Sequence, residues 1–166
     1  MLDYAVDERF IAAVSDSIAA HRAANPDGAH LLFSFHGIPA SYVADGDPYE
    51  RKCHATATAI AARLGLAGDD WSMSFQSRVG RAKWLAPYTE DTVKQIGARG
   101  VKRLDVVCPG FAIDCLETID EMGVEAAETF HKAGGETLRY IPALNDGPAH
   151  VEVLTGLVAA HARQRP

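Results

Sequence analysis

His36 closes the run HLLFSFHG at residues 30–37 and is followed at once by a glycine, which would let a ligand come close to the backbone. An imidazole changes protonation near neutral pH and is a common ligand of iron and other transition metals, so the position suits a base or a metal ligand. Read without chemistry, it is a strand-end histidine bonded to a loop carbonyl. Further along, Asp114, Glu117, Glu121, Glu125 and Glu128 fall within about 80° of one another when 114–133 is wound as a helix at about 100° per residue. Leu116, Ile119, Ala127 and Phe130 fall opposite, as a core face. A solvated amphipathic helix accounts for that pattern. Yet like charges four apart cost about 0.2–0.5 kcal/mol per pair, and no Lys or Arg lies between 104 and 131 to relieve them. A neutral imidazole facing such a row would suit a divalent metal or a path for protons.

The stretch SRVGR, 77–81, sets Arg78 and Arg81 on either side of a glycine and could hold an anion, although neither common phosphate-binding glycine motif is present. Trp84 and Tyr88 follow in the same stretch and would either line an apolar pocket or pin the loop. Cys53, Cys108 and Cys115 have no C-x-x-C spacing, so reduced thiols are expected, the last two as small buried hydrophobes rather than ligands. The other six histidines read as structural or solvated.

These residues need elements to hold them. Apolar positions at helical spacing over 7–24 end at Asn25-Pro26-Asp27-Gly28, a strong breaker. Residues 30–37 have the profile of a buried strand, and a second helix is predicted from about Asp47 to Leu64. WSMSFQS, 71–77, alternates large apolar and small polar residues as a strand does, and 77–89 reads as a long loop of the kind that is usually functional. Thr89 is placed to cap a helix over 90–99. A strand over 103–110, a helix over 114–133, a strand over 137–142 and a helix over 148–163 complete the chain. Four strands alternating with helices imply right-handed crossovers and a parallel sheet covered on both faces, a three-layer, flavodoxin-like α/β domain. Ligands of such sheets sit beyond the carboxyl ends of the strands, which is where His36, the 76–89 loop, 108–117 and 144–148 fall.

The chain has 166 residues, 48% hydrophobic and 23% charged, a globular mixture expected to form one domain over 1–166 without disulfide staples. A net charge of -6 argues against nucleic acid and favours a small-molecule partner. No apolar run reaches the ~18 residues of a membrane span, and the N-terminus lacks a signal peptide's apolar core, so a cytoplasmic protein is expected. Peripheral contact with a membrane needs only a small apolar surface and stays open.

Several strings resemble consecutive blocks of bacterial ferrochelatase: LLFSFHGIP (31–39), DPYERKCHATATAIAARLGL (47–66), FQSRVGRAKWLAPYT (75–89), VVCPGFAIDCLETIDEMGVEAAETF (106–130) and YIPALNDGPAHV (140–151). The resemblance implies insertion of ferrous iron into protoporphyrin IX to give protohaem, with iron and porphyrin as substrates and no tightly bound cofactor. It implies active-site roles for His36 and Glu117. Asp114 and Glu121, with Glu125, would belong to an acidic row that shares metal handling with those two, on a helix carrying a π-type irregularity. Trp84 would stand at the porphyrin pocket, with Tyr88 and Arg78 in the same loop. It also implies that the chain corresponds to the C-terminal half, the N-terminal half being a missing partner, and that no iron–sulfur cluster is expected, since no cysteine follows Cys115. Metallation requires a base at the ring face, an exit for two pyrrole protons and walls that bend the ring. His36 as base with the carboxylates as exit, or His36 and the carboxylates as iron carriers, use the same residues. Two other readings remain: a single-domain, homodimeric tetrapyrrole chelatase, and a non-catalytic α/β domain that binds a small ligand.

Overall fold

A computed structural model describes residues 3–163. The first helix, α1 (Glu8–Ala24), is capped by Asp7, whose carboxylate accepts the Arg9 amide at 3.0 Å. Its Phe10, Ile11, Val14 and Ile18 recur at helical spacing and are buried. β1 (His30–His36), β2 (Trp71–Gln76), β3 (Arg103–Val107) and β4 (Thr137–Ile141) form one parallel sheet in the order β2-β1-β3-β4. Between them run α2 (Ala40–Ala44), α3 (Tyr49–Arg63), α4 (Thr89–Ala98) and a helical run made of α5 (Leu116–Ile119), a π segment (Glu121–Glu125) and α6 (Ala126–Lys132). The last helix is α7 (Pro148–Arg163).

Side chains of a strand alternate between faces. In β1, Leu31, Phe33 and Phe35 therefore join a core with Phe10, Val14, Ile18, Ile60, Val153 and Leu157 from α1, α3 and α7. Leu32 joins Val93, Ile96, Leu104, Val106 and Phe130 under α4 and α6. Each fully buried large side chain of this kind contributes about 1.5–3 kcal/mol. On the α4 and α6 side, β1 and its edge-strand neighbour β2 turn polar toward their carboxyl ends: Ser34 in β1, Ser74 and Gln76 in β2, all buried. His36 shares that parity and pairs in register with Gln76.

The layered parallel sheet agrees with the sequence reading, and four details differ. The third strand stops at Val107, because Cys108 accepts the Phe111 amide in a turn. The helix expected from 114 begins at Leu116, and Leu116 and Ile119, assigned to its core face, are 75% and 56% exposed. Phe130 is buried as expected, but Thr118, Met122 and Ala126 complete the buried face in place of Leu116 and Ile119, since the π segment adds a residue and shifts the phase of everything before it. Thr89 does not cap α4; its hydroxyl is buried against Ser34 and Ser74 at 2.9 and 2.8 Å, and Tyr88 holds the cap position. The short α2 was not expected.

Candidate active site

β1 and β3 are neighbours, so the end of β1 and the turn after β3 stand side by side. His36 donates from Nδ1 to the Gly37 carbonyl at 2.6 Å, since a carbonyl can only accept. That bond fixes the tautomer and leaves the Nε2 lone pair free to take a proton or bind a metal. The rings of Trp84 and Phe111 flank the imidazole, each with its centroid 6.2 Å away. Gly37 permits this packing, because a Cβ there would lie 3.0 Å from the Gln76 carbonyl and 3.1 Å from Trp84. Tyr49 adds a hydroxyl donor to the His36 carbonyl at 2.8 Å.

Glu117 opens α5. Its carboxyl is held below the usual carboxylate range, first by a hydrogen bond from the Cys115 thiol, then by its own backbone amide, with burial opposing and His36 adding a smaller electrostatic pull. Cys115 is thus half-buried, with its thiol the first cause of the lowered Glu117 pKa, not the buried small hydrophobe read from sequence. Glu121, one turn on, accepts from the Ser77 hydroxyl at 2.6 Å and from the Gln76 amide at 3.5 Å. Ser77 reaches it from a left-handed backbone conformation, φ 62°.

Asp114 stands apart from this pair. One of its oxygens accepts from Tyr140 (2.6 Å), the Ala143 amide (3.1 Å) and Thr118 (3.2 Å), and the other from Asn145 (2.7 Å). Burial raises its pKa, but these bonds outweigh it and the net shift is downward. The carboxylate is occupied in tying the β3–α5 turn to the β4–α7 loop. Among the described residues no three His, Cys, Asp or Glu side chains converge as a ready-made metal site.

Arg78 and Tyr88 do not share a wall with His36. Together with Gln76, Ser77, Glu121 and Glu125 they line an open groove of about 440 Å³, where the Arg78 guanidinium lies 4.0 Å over the Tyr88 ring and 3.9 Å from Glu90. Trp84 belongs to the His36 side, with its indole N–H given to the Val79 carbonyl at 2.9 Å. His36 with Trp84 and Phe111, and Glu117 near it, form one cluster and the acidic groove lies apart from it, with Gln76 and Glu121 between them. Sequence reading passed over Gln76, Ser77, Tyr49 and Asn145. A glutamine ending a buried strand was the one available signal, since an amide there must find partners.

A family model described as Ferrochelatase matches residues 1–162. The ferrochelatase of Thioalkalivibrio sulfidiphilus is 48% identical over 164 residues, covering 99% of this chain and 44% of that protein. That of Aeromonas hydrophila is 47% identical over 156 residues, covering 94% of this chain and 48% of its own length. The chain thus spans about half the length of the curated relatives it matches. Among solved structures, a cobalamin (vitamin B12) biosynthesis CbiX protein from Marinobacter aquaeolei VT8 superposes with a TM-score of 0.52 at 12% identity, over 82% of this chain and 98% of that one, a likeness of fold.

Proposed function

The chain belongs to the ferrochelatase family, and from that premise we propose that it supplies the metal-inserting half of an enzyme that places Fe²⁺ in protoporphyrin IX. The observation that carries the reading is the His36 geometry: a histidine whose Nδ1 is committed to Gly37, walled by Trp84 and Phe111, with the Glu117 carboxylate close by. In the reaction two pyrrole N–H bonds break, two protons leave, and four nitrogens bind the iron. His36 takes a pyrrole proton on Nε2. Glu117, Glu121 and Glu125 lead from that face to the open groove, and carry protons outward or iron inward. The exposed Ile113, Leu116 and Ile119, on the same stretch as Glu117, offer the apolar surface a flat macrocycle would cover. Trp84 serves the porphyrin face; Arg78 and Tyr88, across Gln76, serve the groove. The N-terminal half that the relatives carry would supply the opposite wall.

The test is insertion of Fe²⁺ or Zn²⁺ by the chain mixed with such an N-terminal half. His36→Ala is expected to slow it at least about 100-fold, the usual worth of a positioned general base; equal rates would refute the role of His36. The CbiX likeness, in which nearly the whole of a short chain is covered, supports a second reading, a homodimeric chelatase. Gel filtration separates the two: a strict monomer that binds no porphyrin sinks it.

A further inference from the structure

Gln76 is 3% exposed and belongs to none of the groups that the proposed reaction uses directly. Its bonds reach the segments that carry His36, Glu117 and Glu121. In the main chain, its carbonyl accepts the amide of Gly37 at 2.8 Å, the same residue whose carbonyl holds His36 Nδ1. In the side chain, Nε2 donates to the Glu117 backbone carbonyl and, at 3.5 Å, to the Glu121 carboxylate. Oε1 accepts the Ser34 hydroxyl at 2.6 Å and the Cys108 thiol at 3.4 Å.

The orientation of this amide is dictated by its partners. A carbonyl and a carboxylate can only accept, so the NH₂ end must face the helix. The Ser34 proton is spent on Oε1, so Thr89 donates to Ser34 at 2.9 Å and Ser74 donates to Thr89 at 2.8 Å. A directed chain runs Ser74 to Thr89 to Ser34 to Gln76, each bond polarising the next, and ends on the helix. It ends where the helix changes its winding. Asp120 donates to Leu116 at 3.0 Å in the α pattern, while both Val124 and Glu125 donate to Asp120, at 2.9 and 3.0 Å, as the π segment begins. The Glu117 carbonyl lies at that junction and receives the side chain of Gln76.

We propose that Gln76 is a positioning residue for the metal-inserting site, an inference that rests on the function proposed above: it clamps the junction between α5 and the π segment so that Glu117 faces His36 while Glu121 is held one turn behind it. A hydrophobic residue of the same length removes the clamp without emptying the space. A carboxylate of the same shape places negative charge against the Glu117 carbonyl and Glu121, and becomes a donor only when protonated.

The test uses the full 166-residue chain with Gln76→Met and Gln76→Glu, alone for hydrogen–deuterium exchange and with an N-terminal half for Zn²⁺ insertion into protoporphyrin. In Gln76→Met, amides of 116–126 are expected to exchange about tenfold faster, and kcat to fall about 10- to 100-fold with KM for porphyrin changed less than about twofold. Gln76→Glu should regain activity relative to wild type as the pH falls through the carboxylate range, which a merely structural residue would not do. If Gln76→Met folds poorly, that pH dependence decides. Wild-type kcat in Gln76→Met, with or without faster exchange, or a flat Gln76→Glu ratio, overturns the proposal. If the wild type inserts no metal, the functional reading fails separately, and exchange alone then judges the clamp: unchanged exchange overturns it and faster exchange upholds it.

Discussion

Glu117 shows how much of a residue's chemistry is set by its nearest donor. The Cys115 thiol precedes it by two residues and is the first cause of its lowered pKa, ahead of its own backbone amide and of His36. Cys115→Ala removes that donor, and the Glu117 carboxyl is expected to titrate at higher pH, readable from its side-chain ¹³C resonance; an unmoved midpoint would show that the thiol does not matter. His36 works the other way round. Its bond to Gly37 commits Nδ1 and leaves Nε2 as the nitrogen with a free lone pair.

At the scale of elements, the helical run from Leu116 to Lys132 must satisfy the sheet with one face and the site with another. α6 also packs on α4 at Gly97, where an added Cβ would lie 2.9 Å from Ala133 Cβ and 3.3 Å from its backbone. Neither neighbour can swing away, so Gly97→Ala should force the two helices apart at a cost of about 1–3 kcal/mol. Gly123, in the π segment, has nothing nearer than Tyr140 Cβ at 3.9 Å. Gly123→Ala should stabilise by about 0.4–1 kcal/mol through the unfolded chain. Urea unfolding of both variants checks the opposite signs. Asp114 joins the ends of two further elements, and its folded pKa lies below the ordinary 3.8. Its contribution is therefore in place above pH 3.8 and is lost as pH falls through the lower folded value. Tyr140→Phe, which removes one donor to it, should lower Tm at pH 7, and the deficit should shrink as Asp114 becomes protonated in acid.

Across the whole molecule the two ends of the sheet are divided in purpose. The carboxyl ends hold His36, Gln76 and the helix of carboxylates. Away from that edge, on the α1 side of β3, Asp105 is 0% exposed and is met by Arg139 at 2.8 Å, Arg22 at 3.3 Å and His21 at 3.6 Å. Arg139 also reaches Asp27 at 2.7 Å. A buried carboxylate stripped of a partner costs about 3 kcal/mol or more. Arg139→Met is accordingly expected to lower Tm by about 6–12 °C while leaving metal insertion by the folded protein unchanged, so scanning calorimetry and the insertion assay should disagree. Among the described residues no helix is long and apolar enough to cross a membrane.

Much of this was legible in the residues themselves. Apolar spacing and Gly/Pro breakers placed the four strands and most helices, because periodicity and punctuation act within a dozen residues of chain. The strand-end rule and the ferrochelatase-like strings brought out His36 and Glu117. Three things depended on distant parts of the chain meeting. The serines of WSMSFQS look solvent-facing in their alternation, yet Ser74 is buried, because Thr89, itself bonded to Ser34, arrives to bond it. Leu116 and Ile119 look like core at 100° per residue, but the π segment breaks the phase that such counting assumes. Gln76 offers only the signal of an amide that ends a buried strand and must find partners; which partners it finds is decided where β2 ends against the Glu117 carbonyl, 41 residues away. Local patterns decide which elements form, while hydrogen-bond partners that close a site are chosen by packing, and only the folded chain brings them within reach.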